Sequence, residues 1–275
     1  MVEESTIFCF LSFFDCHLKI LLILLPCMID YYKEIFKRKS FHLFRGGDKT
    51  TQEDLDAINS FVKTIVPLYP DIKTDIVIVE ESKTTCHRGA DYCILFYSEP
   101  KGEYLRNIGY IGEQIDLFLT SINIGTLWFG IGKPKEKRNN GLDYVIMIAI
   151  KRMPEDNFRK DMFKSKRKPL EEIWSGESLD IANIVRFAPS ACNTQPWFVE
   201  SSGDSLTIYR YKKPGKRGIM PINMVMYYNR IDIGIFLFIL ETCLNKQNIS
   251  FKRELFSDQC DKEIEKTLSA KYIKQ

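Results

Sequence analysis

Apolar and polar side chains along the chain alternate with two periods, one near 3.6 residues and one near two, which separates helices from strands. From Asp30 to Lys37, Tyr31, Ile35 and Phe36 offer one apolar side, which predicts a short amphipathic helix. Gly46-Gly47-Asp48 breaks the chain, and Thr51 caps a second helix carrying Leu55, Ile58, Phe61, Val62 and Ile65 at helical spacing. Pro67 and Pro70 end it. Ile76-Val77-Ile78-Val79 and Tyr92-Cys93-Ile94-Leu95-Phe96 read as strands, and a long helix is predicted from Glu103 to Ile124, stopped by Gly125. The continuous β-branched run from Tyr144 to Ile150 predicts a buried strand. A charged, irregular connection follows from Pro154 to Lys168.

The second portion has the same order. A helix is expected from Glu177 to Phe187, then a proline-bearing turn and the strands Trp197-Phe198-Val199 and Leu206-Thr207-Ile208-Tyr209. A long apolar helix covers Ile231 to Leu244, and Ile249-Ser250-Phe251-Lys252 is a closing strand. The charged tail from Ser257 to Gln275 reads as a helix. The succession of helix, special loop, strands, long helix and strand thus occurs twice, in architecture more than in letters.

Composition narrows the class. With 275 residues, 45% hydrophobic and 27% charged, the chain is long enough for one large domain or two closely packed ones. Its net charge of +3 gives nucleic-acid binding no global electrostatic support. The eight cysteines form no C-x-x-C pair and have no histidines at zinc spacing, so they read as buried free thiols in a reducing cytoplasm. His17 and His87 have no partner pattern.

Residues 1–27 form a hydrophobic extension with three open readings. Ile7 to Cys27 has the length of a bilayer span, yet Asp15, His17 and Lys19 lie near its middle. A charge there costs roughly 2.5–3.5 kcal/mol of insertion. Glu3 and Glu4 replace the basic start of a secretory signal. Met28 opens a segment that reads as an independent protein start, so the extension is a miscalled start, a membrane anchor or an extra packed helix. If it spans, Lys33, Lys37, Arg38 and Lys39 keep the main body cytoplasmic.

The most informative stretch is Ala188-Pro189-Ser190-Ala191-Cys192-Asn193-Thr194-Gln195-Pro196-Trp197. Between a helix and a strand it places two prolines, a hydroxyl and two carboxamides, which suits fixed donors and acceptors held against a flat, polar-edged molecule. The plainer reading is a rigid turn whose Ser and Asn satisfy their own backbone.

This stretch resembles the Pro-Ser-x-x-Asn-x-Gln-Pro-Trp motif of the FMN-dependent nitroreductase family. It departs at Cys192, where a small residue, commonly Gly, is usual. Lys37-Arg38-Lys39-Ser40-Phe41-His42 is similar to the family's opening Arg-x-Ser-x-Arg/Lys turn, and Ser165-Lys166-Arg167-Lys168-Pro169-Leu170-Glu171-Glu172 to its later basic-Pro-Leu-Glu segment. Gly125-Thr126-Leu127-Trp128-Phe129-Gly130 is similar to its glycine-bearing exit from the long central helix. Each motif alone is unspecific. Together they stand in the order of the subgroup in which two half-domains are fused, covering about Met28 to Leu255.

The resemblance implies an α+β fold, with antiparallel sheets flanking long central helices in an intrachain pseudo-dimer. Its halves would be residues 28–165 and 166–275, with no further oligomer required. It implies FMN as cofactor, with NADH or NADPH as reductant and a nitroaromatic, quinone or similar small acceptor. Arg38 and Arg167, helped by Lys37 or Lys166, would hold the FMN phosphate. Ser40 would bond the phosphate or ribityl chain. Pro189, Ser190 and Asn193 would meet the isoalloxazine from the opposite half, and Gly130 would bring a backbone N–H to its edge. Trp197 reads as core rather than as a stacking partner. His42 stands where the family carries Arg or Lys near the flavin N1/C2=O edge, so it would supply that charge only when protonated. No side chain need act as a nucleophile. A flavin-binding protein without turnover, for sequestration or sensing, is the alternative that His42 and Cys192 keep open. A flavin-fragmenting or dehalogenating enzyme is a third, without a recognisable lid insertion to support it.

Overall fold

The amphipathic segment after Asp30 does wind into a helix, α1 (Tyr31–Lys37), with the Asp30 side chain accepting from the Lys33 N–H as its N-cap. The structure, a computed structural model, describes residues 29–177, 180–211, 218–258 and 266–275. The extension 1–27, with His17, Cys9, Cys16 and Cys27, lies outside them, as does Cys260. Helix α2 (Gln52–Val62) starts on a capping box in which Thr51 and Asp54 bond each other's backbone N–H.

The first sheet is antiparallel. Strands β1 (Thr74–Glu80) and β2 (Tyr92–Ser98) form its first pair. After helix α3 (Tyr104–Ser121) come β3 (Ile124–Trp128), the short β4 (Arg138–Asn139) and the central β5 (Leu142–Arg152). The order is β1-β2-β5-β3, with β4 paired to β5. Asn140 and Gly141 take φ of 48° and 81° between β4 and β5, the left-handed pair that a tight hairpin requires.

Helix α3 is shorter than the sequence suggests. Asn123 adopts φ 61°, which ends the helix, and the β-branched and aromatic side chains of Ile124, Thr126 and Trp128 then favour a strand over another turn. Gly125 is therefore a strand residue rather than a helix stop: a Cβ there would lie 2.6 Å from Met153 and 2.9 Å from the Phe41 ring.

The second sheet contains β6 (Trp174–Gly176), β7 (Trp197–Ser202), β8 (Ser205–Tyr211), β9 (Phe251–Leu255) and β10 (Lys266–Lys274), in the order β6-β7-β8-β10-β9. All its pairs are antiparallel except β6 with β7. Two helices belong with it, the single turn α4 (Ala182–Val185) and the long α5 (Ile222–Lys246). The expected helix from Glu177 to Phe187 thus shrinks to one described turn, with 178–179 outside the described residues. Strand β10 corrects a second expectation, that the tail is a charged helix. Its lysines obscure an alternation in which Ala270 and Tyr272 are buried, and it pairs on both edges. Residues 259–265 lie outside the described part.

Both sheets follow one path: a hairpin, a long helix, then two strands of which the later lies inside. Thus β1-β2-β5-β3 corresponds to β7-β8-β10-β9. The two long helices cross at glycines. A Cβ on Gly109 would lie 1.9 Å from the Ile231 carbonyl oxygen, and one on Gly234 would lie 2.0 Å from that of Arg106. Bare backbone is the only surface that permits this approach. Helix α5 is the one described helix long and apolar enough to cross a membrane by composition, but it is mostly buried between the sheets.

Buried charge fastens the second sheet to these helices. Glu241 of α5 accepts from Tyr110 (2.7 Å), Tyr272 (2.6 Å) and Arg253 (2.8 Å), while Arg210 of β8 donates to both oxygens of Asp258 at 2.5 and 2.6 Å. Each carboxylate has several donors, the condition under which a buried charge is tolerated.

Candidate functional site

The chain leaves α1 at Arg38, whose ψ of 136° turns it into an extended segment. Ser40 bridges Thr126 at the edge of the first sheet, and the Phe41 N–H donates to the Thr126 carbonyl at 2.9 Å. Arg38 is buried. Its Nε donates to Asp116 Oδ2 at 2.8 Å and its Nη2 to Ser40 Oγ at 3.1 Å. Asp116, on α3, also accepts from Thr126 Oγ1 (2.5 Å) and Trp128 Nε1 (2.9 Å). Glu113, one turn earlier, is buried, and among the described residues neither carboxyl oxygen meets a hydrogen-bond partner at bonding geometry. Burial, and then the Asp116 charge, hold its carboxyl well above the usual glutamate range.

More guanidinium groups converge on this corner. The Arg159 N–H donates to the Lys37 carbonyl at 3.0 Å, placing the expected irregular connection beside the end of α1. Burial, and then the charge of Arg38, lower the Arg159 guanidinium to about 10, against the pull of Asp116. Arg167 donates to the Lys166 carbonyl (2.9 Å), the Phe187 carbonyl (3.0 Å) and Asn193 Oδ1 (3.1 Å). Burial, and then the charges of Arg159, Arg38 and Arg186, lower it to about 10 as well. Arg167 and Arg186 lie against the same ring, Phe187, at 5.6 and 4.8 Å. The Nε of each is buried with no hydrogen-bond partner among the described residues. Arg38 has Asp116, but among the described residues Arg159, Arg167 and Arg186 have no carboxylate within ion-pair distance. Such a cluster is poor in counter-charge and suits a polyvalent anion.

The proline-framed loop closes over the same place. Cys192, Asn193 and Gln195 take φ of 50°, 54° and 49°, left-handed values that only surrounding bonds can hold. Those bonds are present. The Ala191 N–H donates to Asp232 Oδ1 (2.9 Å), the Gln195 N–H to Ser190 Oγ (3.0 Å), and the Lys168 N–H to Gln195 Oε1 (2.9 Å). Asn193 Nδ2 donates to the Lys166 carbonyl at 3.1 Å, knitting the loop to the basic segment. Asp232, on α5, is buried, with Oδ2 unbonded among the described residues, and burial pushes its carboxyl up to about 8 against the Ala191 bond. On α3 Asn107 does the matching task two residues before Gly109, accepting the Tyr69 N–H at 2.9 Å and donating to its carbonyl at 3.3 Å. Asp232 stands two residues before Gly234.

Tyr228 links helix α5 to the segment after β3. Its hydroxyl donates to the Gly130 carbonyl at 2.7 Å, and its ring comes within 2.8 Å of where a Gly130 Cβ would be. Burial, and then Cys192, raise its phenol above the ordinary range. Gly218 approaches the Cys192 Cβ so closely that a side chain there would meet it at 2.7 Å.

Thus Arg38 is bonded to Ser40, and Arg167, Asn193 and the Lys166 backbone form a second bonded group whose Arg167 feels the charge of Arg38, while Pro189 and Ser190 are half-buried in the same loop. Gly130 reaches the loop through Tyr228. Lys37 does not join them: its Nζ donates to Asn123 Oδ1 at 2.7 Å and lies 5.1 Å from the Phe158 ring centre. The Lys166 side chain and His42 are exposed, and Trp197 is buried against Phe236 at 4.8 Å, a core residue. Arg159, Arg186, Asp116, Tyr228 and Asp232 escaped the reading of the sequence. Acids inside an apolar helix pattern were the available signal for Asp116 and Asp232; Arg159 carried none.

The two long helices thus pack with two largely antiparallel sheets, and the strained amide loop is bonded to the basic segment through Arg167. The model of the family described as "Putative TM nitroreductase" matches residues 30–243, and the chain belongs to that family. Membership supports oxidoreductase activity. Among solved structures, a "putative nitroreductase" from Thermotoga maritima shares the fold at 19% identity and a TM-score of 0.58, over 89% of this chain and 94% of that one. A nitroreductase family protein from Clostridium difficile (15% identity, TM-score 0.41) matches over 55% of this chain and 99% of its own. A nitroreductase with bound FMN from Desulfitobacterium hafniense (15%, 0.40) matches over 55% and 100%. No curated protein matches the chain.

Proposed function

We propose that the chain is an FMN-dependent oxidoreductase with one cofactor site, built from residues 28–165 on one side and 166–275 on the other. The observation that carries this reading is the arginine cluster. Arg167 bonds Asn193 of the loop at 3.1 Å and feels the charge of Arg38, which supports bringing motifs far apart in the chain to one site. The unbonded Nε atoms of Arg167 and Arg186 are buried donors awaiting an acceptor, which fits a phosphate. FMN, when bound, would supply hydride exchange between NADH or NADPH and a nitroaromatic, quinone or similar acceptor.

The chain's own residues would bind, orient and shield. The cationic corner would anchor the phosphate, and Ser40, held by Arg38, would meet the phosphate or ribityl chain. Pro189, Ser190 and Asn193 would bound the ring, with the Asn193 amide already fixed by Arg167 and the Lys166 carbonyl. Gly130 would limit the opposite edge, its carbonyl held by Tyr228. Of the two lysines, Lys37 is engaged elsewhere, and Lys166 serves through its backbone. His42 is exposed just past the buried Phe41. The matching strand paths of the two sheets support the division into halves.

Stopped-flow absorbance of flavin-loaded protein mixed anaerobically with NADH or NADPH tests the reading: the 450 nm band should bleach, then return on adding a quinone. Loaded protein that neither nicotinamide bleaches would favour binding without turnover.

A further inference from the structure

We infer that the open edge of the flavin site selects an uncharged quinone carrying an alkyl chain, and that Phe163, Ile219, Ile222 and Ile131 are its specificity-determining residues. The inference rests on the flavin reading and narrows the acceptor within it.

The observation is where exposed apolar surface falls. Six large apolar side chains are exposed among the described residues: Leu43, Val66, Ile131, Phe163, Ile219 and Ile222. Such residues are ordinary when scattered singly. These are not scattered, since all but Val66 stand on or against the segments that build the site. Leu43 follows His42, and Ile131 follows Gly130. Phe163 sets its ring edge-on to Phe187 at 5.4 Å, the ring that Arg167 covers at 5.6 Å while bonding Asn193 at 3.1 Å. Ile219 follows Gly218, where a side chain would meet the Cys192 Cβ at 2.7 Å, and Ile222 opens α5 three residues on. Contacts therefore run from Phe163 through Phe187, Arg167 and Asn193 to Cys192 and on to Ile219. Six residues further along α5, about 9 Å at helical rise, Tyr228 holds the Gly130 carbonyl at 2.7 Å and ties Ile131 to the same helix.

Exposure is 57% at Phe163, 64% at Ile131, 66% at Ile222 and 90% at Ile219, so these side chains have contact area to give to a ligand. Around Phe163 the charges pair among themselves, Lys160 with Asp156 at 3.0 Å and Lys164 with Asp161 at 4.0 Å. A charged acceptor gains little from exposed, paired charges, whereas an alkyl chain laid on the rim gains by leaving water. The reaction keeps its balance: NADH or NADPH, a proton and the quinone give the oxidised nicotinamide and the hydroquinone. The rim acts on the chain that the quinone carries, not on the electrons.

The test is steady-state reduction of benzoquinones by the FMN-loaded full chain at saturating NADH or NADPH. Single alkyl chains of one, three and five carbons change the ring potential little among themselves, so this series reads the rim. kcat/KM should rise about two- to fourfold per methylene, through KM, with kcat unchanged. A chain of the same length ending in a carboxylate should lose the gain. Phe163→Ser and Ile219→Ser should each flatten the series. Val66→Ser, comparably exposed at 68% but off the site, should leave it as in wild type. Anaerobic bleaching of the flavin by the nicotinamide should keep its wild-type rate in all three variants, which separates a changed rim from a damaged site. A flat series in wild type, a slope that survives both Phe163→Ser and Ile219→Ser, bleaching slowed as much as turnover in those variants, or preference for the carboxylate overturns the inference while the flavin reading stands. Flavin that neither nicotinamide bleaches in wild type overturns both.

Discussion

At Cys192 the backbone takes φ 50°, a value that disfavours any residue with a Cβ by about 1–2 kcal/mol. Glycine is usual in the family at this place, and the positive φ supplies the reason. Cys192→Gly should therefore raise stability by about 0.5–1 kcal/mol once glycine's greater unfolded-state entropy is subtracted; urea unfolding reads this, and a destabilised variant would contradict it. Asp116 is the opposite case. Arg38 is buried and, among the described residues, ion-paired to Asp116, so Asp116→Ala should destabilise by about 3–5 kcal/mol, whereas Asp116→Asn, which keeps an acceptor, should lose less. Equal losses in urea unfolding would show that the charge itself contributes little.

Asp232 gives a pH signature. Its carboxyl sits at about 8 in the folded chain, against about 3.9 in an unfolded one. Between those values the folded state holds a proton that the unfolded state has released. Stability therefore falls as pH rises through this window, by up to about 1.4 kcal/mol per unit, and levels off above pH 8. Glu113 and Glu34, also raised by burial, tilt the curve the same way, so the comparison that isolates Asp232 is with Asp232→Asn. Asn107 already does the matching task as an amide, and the variant should hold the Ala191 N–H equally well. Its stability advantage should widen between pH 5 and pH 8. Curves that stay parallel would locate the slope elsewhere.

On the scale of elements, the α3–α5 crossing is the least forgiving contact. Gly109→Ala puts a methyl where the Ile231 carbonyl oxygen is, and Gly234→Ala does the same at Arg106. Each should destabilise by about 3 kcal/mol or more, because backbone rather than a flexible side chain must move. A thermal midpoint within a degree or two of wild type would mean that the helices sit farther apart. Elements with a clean period were legible in the sequence: α1, α2, the β1–β2 pair and β5 follow from their patterns. The failures share a cause. Helix α5 begins at Ile222, earlier than expected, because the hydroxyls of Tyr227 and Tyr228 are satisfied by the Val145 and Gly130 carbonyls, far away in sequence. Strand β10 was hidden by lysines because its partners, β8 and β9, are not local in sequence. Tertiary pairing decided both.

For the whole molecule, the repeated order of elements became the same strand path in two sheets, and of the candidate site the loop and the basic segment were legible as motifs. What they lacked was neighbours. Sequence could not show that Lys37 turns to Asn123, that Asp116 neutralises Arg38, or that Arg159 arrives from the charged connection, since each depends on residues brought close only by folding. One flavin space bounded by both halves is the central claim, and binding stoichiometry examines it directly. Purified full chain saturated with FMN, freed of excess and measured for flavin absorbance against protein concentration, should carry one flavin per chain. Two flavins per chain, or none retained at saturating FMN, would contradict it.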